Sequence, residues 1–351
     1  MRILFDGYWW IHGPVSNQEV MREFILAWER LFPDDELVVT IPRGDVALAR
    51  TTLPARIRIV GVRLRPQGVS AILEVPFIAR RLRVDRIVTH NFTPLFGRSA
   101  VFVHDFMFVN HPEWFTRAER AYYSAMPMTL GRARWVLTSS RTEAQRINAL
   151  ARRHPTVVPV GLALSRGLEN ATARRPKTID GIDDFLLAVG RINIRKNLGT
   201  AIRAAVASGV ATPATPMIIV GEPEGRTADI GEEAANAIDS GAVRFLGFIS
   251  VDELAWLYSH ARVFVFLSVD EGFGMPTLEA AHFGAPIVAS DIPVFREILG
   301  DRARFVDPGD AQAAAAAITD AWETGRTVPV DVTALGYSWE ASAQKFRETI
   351  L

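Results

Sequence analysis

Short apolar runs recur along this chain, each followed by a segment with apolar residues at helical spacing, and that alternation leaves few architectures open. In the first half the runs fall at residues 3–5, 37–41, 57–62, 86–89, 100–103, 135–138 and 156–160. A second set follows at 185–189, 217–220, 243–246, 263–267, 286–289 and 304–306. Runs of this kind read as strands buried on both faces, as in a parallel sheet with helices packed on either side. At 351 residues the chain exceeds the size at which one core keeps growing, so two domains are expected. With 49% apolar and 22% charged residues it can fill both cores.

The first helix is expected at 18–31, opened by a capping box of Ser16 and Glu19 and carrying Val20, Phe24, Trp28 and Leu31 on its core face. Further helices are expected at 71–82 and 116–130. The periodicity breaks at 166–184, where Arg174-Arg175-Pro176-Lys177 and Asp180-Gly181 mark a linker between a first domain, 1–165, and a second, 185–336. The absence of cysteine excludes disulfides and thiolate metal sites. The first residues enter a strand without the pattern of a secretory leader, and no apolar run approaches the ~20 residues of a membrane span, so a cytoplasmic chain is expected.

Net charge is zero because two halves cancel: residues 1–165 hold 22 Arg against 14 Asp and Glu. The basic half suits an anionic membrane or a phosphate-bearing acceptor, with Arg80, Arg81, Arg83 and Arg86 as the contact; a solvated helix end is the alternative. No nucleic-acid partner is expected.

From Glu271 to Glu279 the chain reads Glu-Gly-Phe-Gly-Met-Pro-Thr-Leu-Glu. This turn follows the strand at 263–267 and leads into a helix, so it stands where doubly wound sheets bind ligands. Gly272 and Gly274 let backbone approach a ligand, Pro276 suits a first helical turn, and a helix N-terminus favours phosphate. Either carboxylate alone fits a solvated position; the combination points to a site. A second motif, Gly190-Arg191-Ile192-Asn193-Ile194-Arg195-Lys196-Asn197, follows the strand at 185–189. Lysine is scarce here, occurring only at Lys177, Lys196 and Lys345. A compact ammonium beside a bidentate guanidinium suits a diphosphate, with a solvated basic loop as the alternative.

The 271–279 segment resembles the Glu-x7-Glu signature of retaining, nucleotide-sugar-dependent glycosyltransferases of family 4, which have the GT-B fold. The resemblance runs from Phe245-Leu246-Gly247-Phe248 through Leu254, Tyr258 and Ala261 to Gly284-Ala285-Pro286-Ile287-Val288-Ala289-Ser290. It takes in Val306-Asp307-Pro308-Gly309-Asp310 and Tyr337-Ser338-Trp339-Glu340, and is patchy before residue 185. It implies two Rossmann-like, doubly wound α/β domains facing an interdomain cleft, with acceptor bound by the first, donor by the second, and a final helix, 337–351, crossing back to the first. The implied activity moves a hexose or deoxyhexose from a nucleoside-diphosphate sugar to a glycan or lipid-linked acceptor in cell-surface polysaccharide biosynthesis. No cofactor or metal is expected beyond that co-substrate.

The resemblance also assigns roles. Arg191 and Lys196 hold the diphosphate, with Arg195 as the alternative; Glu279 takes ribose hydroxyls and Glu271 hydroxyls of the transferred sugar. Amides of the turn around Gly272, at Phe273, Gly274, Met275 and Thr277, face sugar and phosphate oxygens, while Pro276 has no N–H to give. Gly221-Glu222-Pro223 and Phe248-Ile249 lie near the base. His104, in Val103-His104-Asp105-Phe106, resembles the histidine of mannosyl- and rhamnosyltransferases that meets the donor sugar, which favours GDP-mannose or dTDP-rhamnose. A core histidine is the alternative, Asp105 orients it or caps a helix, and His90 is a second candidate. The catalytic set is thus Glu271, His104, Arg191 and Lys196.

The loop 7–17 departs from the family's glycine-rich form. Gly13 still permits approach to the diphosphate, but Pro14 removes an amide donor. Tyr8, Trp9 and Trp10, with Asp105 and Phe106, suggest an apolar-tolerant acceptor site, and core packing is the competing fate. A catalytically silent nucleotide-sugar-binding protein and a GT-B-fold epimerase are the competing functions. A dinucleotide oxidoreductase would need a Gly-x-Gly-x-x-Gly turn after an early strand, which the segment 7–13 lacks.

Overall fold

Every strand pairing in the computed structural model, which describes residues 1–150, 155–222 and 231–351, is parallel among those residues. The chain divides into two units, Met1–Leu162 with Tyr337–Leu351, and Ala163–Gly336. The first contains β1 (Arg2–Asp6), β2 (Glu36–Pro42), β3 (Arg58–Val62), β4 (Arg86–His90), β5 (Ser99–Val103), β6 (Trp135–Thr138) and β7 (Val157–Pro159). They lie in the order β3-β2-β1-β4-β5-β6-β7. The strand order reverses between β1 and β4, which opens a crevice at their carboxyl ends.

Helix α1 (Val15–Leu31) starts directly after Pro14, whose fixed φ and missing N–H suit a helix entrance, and no side chain caps it. Ser16 therefore lies inside the helix's first turn and Glu19 beyond it, and the expected capping box is not the helix cap. The helix expected at 71–82 begins earlier, at Gln67, and passes through a wide turn, Ser70–Glu74, before α2 (Val75–Leu82). The segment expected as one helix at 116–130 breaks at Ser124 into Arg117–Tyr123 and Ala125–Leu130; Thr116 and Glu119 form a true capping box at its start.

The second unit contains β8 (Leu186–Val189), β9 (Met217–Val220), β10 (Val243–Gly247), β11 (Val263–Phe266), β12 (Ile287–Ser290) and β13 (Ala303–Val306) in the order β10-β9-β8-β11-β12-β13. Its reversal falls between β8 and β11. Helices α3 (Leu198–Ala207), α4 (Val251–His260) and α5 (Met275–His282) flank the sheet, and one core face joins Leu186, Ile202, Met217, Val265 and Ile318. Segment 166–184, expected as a linker, belongs to this unit. Its Leu168, Ile179 and Ile182 are buried, the Thr172 N–H donates to Asp252 at 3.1 Å, and Arg175 lies over the Trp256 ring at 5.0 Å. Its polar side chains cover the outer face of α4, so polarity here marks a solvated strap and not a free connection.

The final helix, α6 (Trp339–Ile350), packs in the first unit. Phe346 sits edge-on to Phe24 at 5.4 Å and Trp28 at 5.7 Å, and Trp339 to Phe24 at 5.3 Å. Each such pair contributes about 0.5–1.5 kcal/mol beyond area burial. Arg347 donates to Asp35 at 3.0 Å and Arg86 to the Ile350 carbonyl at 2.8 Å. Arg86 is thereby withdrawn from the basic surface expected of Arg80, Arg81, Arg83 and Arg86.

Candidate functional site

The loop after β8 and the loop after β11 are neighbours because β8 and β11 pair across the reversal point of the second sheet. Lys196 and Arg195 end a short 3-10 turn, Ile194–Lys196, that Asn193 caps by accepting the Lys196 N–H at 3.3 Å. Asn197 then adopts a left-handed conformation, φ 51°, and its amide donates to the Pro308 carbonyl at 2.6 Å. Left-handed Asn is the cheapest non-glycine solution at such a corner, and it turns the chain into α3. The Val269 N–H donates to the Arg195 carbonyl at 2.9 Å, which ties the two loops by backbone as well.

Glu271 is buried between them. Lys196 Nζ donates to Oε1 at 2.6 Å, Arg195 donates to Oε2, and the ammonium also stands 4.3 Å from the Phe266 ring centre. Burial opposes both charges, yet the two resolve differently. The carboxylate faces two cations, so Arg195 and Lys196 outweigh its desolvation and hold its pKa well below the usual range. The ammonium gains one carboxylate but feels Arg195 and Arg191, so desolvation prevails and its pKa is lowered.

Glu279, on α5, is buried too, and its Oε2 accepts the Tyr258 hydroxyl at 2.6 Å. Burial raises its pKa, against the pull of Tyr258 and of the nearby Lys196 charge. Arg191, Lys196, Glu271 and Glu279 therefore form one electrostatic neighbourhood, together with Arg195. Gly190, Arg191, Lys196 and Phe266 line a pocket there.

Backbone demands explain the glycines. Gly274 is left-handed at φ 89°, and a Cβ on it would lie 2.5 Å from Phe295 Cε1. Gly221, at the end of β9, would place a Cβ 2.0 Å from the Gly190 carbonyl oxygen. The turn is buried at Gly272, Phe273 and Gly274, and Met275 and Pro276 open α5 half-exposed. Thr277 departs from its expected role: its N–H donates to the Gly274 carbonyl at 2.9 Å and its hydroxyl to the same oxygen at 2.8 Å. That amide closes the helix's first turn and is not offered to a ligand. Phe248, 77% exposed, follows the edge strand β10 next to Gly221, whose N–H donates to the Gly247 carbonyl at 3.0 Å. Pro223 lies outside the described residues.

The first unit's candidates divide. Trp10 is buried, with its indole N–H on Thr52 Oγ1 at 2.8 Å and its carbonyl taken by Arg22. Phe106 is fully buried in an apolar cluster with Val103, Phe108 and Met126. Both are core residues and not acceptor contacts, since Phe106 is enclosed by apolar side chains and Trp10 is held against Thr52 and Arg22. Tyr8 and Trp9 stay half-exposed; Trp9 covers the exposed Gly13, where a Cβ would lie 2.6 Å from the indole. His104 is half-buried at the end of β5, its N–H on Asn91 Oδ1 at 3.1 Å and its ring stacked on His90 at 5.5 Å. Asp105 Oδ1 accepts the Met107 N–H at 3.2 Å, a local turn contact.

One group here escaped the sequence reading. Asp6 ends β1 fully buried, and its Oδ2 accepts the Gln67 amide at 2.6 Å. Burial pushes its pKa up to about 6, against the hydrogen bonds from Gln67 and Tyr8. Beside it, burial alone holds His90 neutral, lowered to about 3. The signal was available: a carboxylate at the end of the first strand of a doubly wound sheet stands at the reversal point.

A family model described as glycosyl transferases group 1 matches residues 169–328. The O-antigen chain mannosyltransferase B of Escherichia coli is 31% identical over 162 residues, covering 44% of this chain and 42% of that protein. The O-antigen chain mannosyltransferase RfbU of Salmonella typhimurium is 29% identical over 231 residues, 66% of this chain and 62% of that one. The chain thus spans less than two thirds of the length of either curated relative. Among solved structures, sucrose-phosphate synthase from Thermosynechococcus elongatus superposes with a TM-score of 0.69 at 18% identity, over 99% of this chain and 98% of that one. WaaG, a glycosyltransferase involved in lipopolysaccharide biosynthesis, does so at 0.68 and 14%, over 99% and 95%. The structural likeness establishes the GT-B class of fold, two doubly wound parallel-sheet α/β units, and residues 169–328 match the glycosyl transferases group 1 model.

Proposed function

We propose that this protein is a retaining, family 4 glycosyltransferase that moves a hexose or deoxyhexose from a nucleoside-diphosphate sugar to a glycan or lipid-linked acceptor. The observation that carries the reading is the grouping of Arg191, Arg195, Lys196, Glu271 and Glu279 at the β8/β11 reversal point. Three cations around the buried carboxylates of Glu271 and Glu279 leave a local excess of positive charge, which suits the negative charge of a nucleoside-diphosphate sugar. The likeness to O-antigen mannosyltransferases favours mannose, hence GDP-mannose, over dTDP-rhamnose, and a cell-surface polysaccharide as the setting.

In this reading the bond from the anomeric carbon to the diphosphate oxygen breaks and a new bond forms from an acceptor hydroxyl oxygen on the same face. The hydroxyl proton passes to the departing diphosphate. Arg191 and Lys196 stabilise the negative charge growing there, the term that commonly dominates such rate enhancements. Glu271 orients sugar hydroxyls and Glu279 the ribose. Among the described residues no helix is long and apolar enough to cross a membrane. A lipid-linked acceptor would be reached by peripheral contact at the inner face of the membrane, a setting that the excess of arginine in the first half favours.

The test is a thermal-shift panel of nucleotide sugars, followed by assay of nucleoside-diphosphate release with polysaccharide-precursor acceptors. A donor at 100 times its Kd stabilises by ~2.7 kcal/mol. GDP-mannose is expected to raise the melting temperature of the protein but not of Lys196→Ala. Absence of a shift with every nucleotide sugar sinks the donor site; a shift with no release under any acceptor favours the silent binder.

A further inference from the structure

At the outer edge of the first sheet, β3 and α2 border an open groove of about 520 Å³, of whose arginines only Arg81 belongs to the basic cluster read from the sequence. Arg43, Arg58, Arg63 and Arg81 line it, with Gly61 and Glu74 among its other residues. All four arginines are exposed, and none makes a side-chain hydrogen bond or ion pair among the described residues. Some other arginines of this unit are paired, Arg2 with Glu36, Arg56 with Glu29, Arg30 with Glu340 and Arg347 with Asp35, so what sets these four apart is that they meet around one concavity. The groove's one acid does not neutralise them. Glu74 spends its carboxylate on backbone, accepting the Arg63 N–H at 2.8 Å and the Leu64 N–H at 2.8 Å.

The arginines also come from separate elements: Arg43 from the turn after β2, Arg58 and Arg63 from β3 and its end, Arg81 from α2. Gly61 lets the Arg43 stem lie across the edge strand, since a Cβ there would be 2.9 Å from Arg43 Cγ. Charges on an edge strand protect it from pairing with another chain. That need explains Arg58 and Arg63; it does not call for Arg43 and Arg81 to close the groove from either side.

We propose that this groove binds a phosphate-bearing anion. Guanidinium forks match phosphate oxygens bidentately, and four of them around one concavity favour a ligand with more than one negative charge. Such a group can belong to a soluble phosphorylated compound or to an anionic lipid headgroup, and the inference does not depend on the transferase reading.

The experiment titrates inorganic pyrophosphate by calorimetry into Lys196→Ala protein, where the other cation site is weakened, and into the same background with Arg58→Ser/Arg81→Ser. In parallel, wild type and Arg58→Ser/Arg81→Ser are floated with phosphatidylglycerol vesicles and with phosphatidylcholine vesicles. Removing the two arginines is expected to weaken pyrophosphate binding at least tenfold, to abolish flotation with phosphatidylglycerol, or both. Loss in the calorimetric arm alone supports a soluble ligand; loss confined to vesicles supports a headgroup. Arg43→Ser/Arg63→Ser is expected to act alike, which guards against a folding artefact in one pair. Unchanged binding in both arms, or no binding by the unsubstituted groove in either, overturns the proposal and leaves the arginines as edge protection only.

Discussion

Lys196 Nζ stands 2.6 Å from Glu271 Oε1, while Arg195 holds the other oxygen of the same carboxylate. One buried acid thus fastens the loop after β8 to the loop after β11, across 75 positions of sequence. Removing one partner of a buried charge group costs about 3–5 kcal/mol, chiefly because the remaining charges lose their compensation. Glu271→Gln is therefore expected to lower the urea midpoint of the protein by an amount worth ~3 kcal/mol. Glu271→Gln/Lys196→Met should recover part of it, and equal losses in the single and double variants would show that the pair carries no stability.

The same pair makes nucleotide binding depend on pH. A diphosphate binds the ammonium form of Lys196, and burial with neighbouring guanidiniums has pulled its pKa down to about 8 from the ordinary 10.5. Below about 8 the charge is present and affinity for a nucleoside diphosphate is level; above it, affinity falls by up to tenfold per pH unit until the bound-state pKa is reached. Lys196→Arg should show no such fall. Stability runs the other way: between about 8 and 10.5 the unfolded lysine holds a proton that the folded one lacks, so rising pH stabilises across that window. Calorimetric titration of GDP from pH 7 to 9.5 reads the first effect, and a flat profile in wild type removes Lys196 from the diphosphate site.

Tyr258 and Glu279 form the second buried link, with a 2.6 Å hydrogen bond from hydroxyl to Oε2. Burial has raised the carboxyl's pKa, so its ionised form is the costly one, and that cost is fully present once the pH exceeds the folded value. Tyr258→Phe leaves the acceptor without its donor, a loss of about 1–3 kcal/mol. It should raise the pKa of Glu279 further, so the deficit relative to wild type is expected to be larger at pH 8 than at pH 5. A deficit that does not change with pH would mean that the lost hydrogen bond is not what matters at this position.

Much of this was readable from the chain, for identifiable reasons. Parallel strands buried on both faces print as continuous apolar runs, and a strand's carboxyl end is a fixed address, so the loops at 190–197 and 271–279 could be placed before any coordinates. Which of two adjacent cations faces the carboxylate could not: the 3-10 turn at Ile194–Lys196 brings Arg195 and Lys196 onto Glu271 together, and it ends at the left-handed Asn197. Aromatic loops misled because composition does not report depth; Trp10 depends on Thr52, 42 positions away, for its indole partner. The segment 166–184 misled in the opposite sense, since arginine stems such as that of Arg175 cover apolar surface while looking like linker. The arginine groove was invisible because its four contributors are spread from Arg43 to Arg81 and meet only once β3 becomes the sheet's edge.

Gly274 gives the sharpest test of the turn that carries both carboxylates. Its φ of 89° costs an L-residue about 1–2 kcal/mol, and an added methyl would sit 2.5 Å from the fully buried Phe295 ring, where overpacking costs a further ~1–3 kcal/mol. Relief requires either Phe295 to leave its rotamer or the turn to unwind, and unwinding moves Glu271 relative to Glu279. Gly274→Ala is thus expected to lose about 2–4 kcal/mol of stability and at least tenfold in nucleotide affinity together. Gly274→Ala/Phe295→Leu makes room for the methyl but leaves the backbone strain. If the double variant regains stability without regaining nucleotide binding, the backbone conformation at Gly274, and not the packing beneath it, sets the spacing of the two acids.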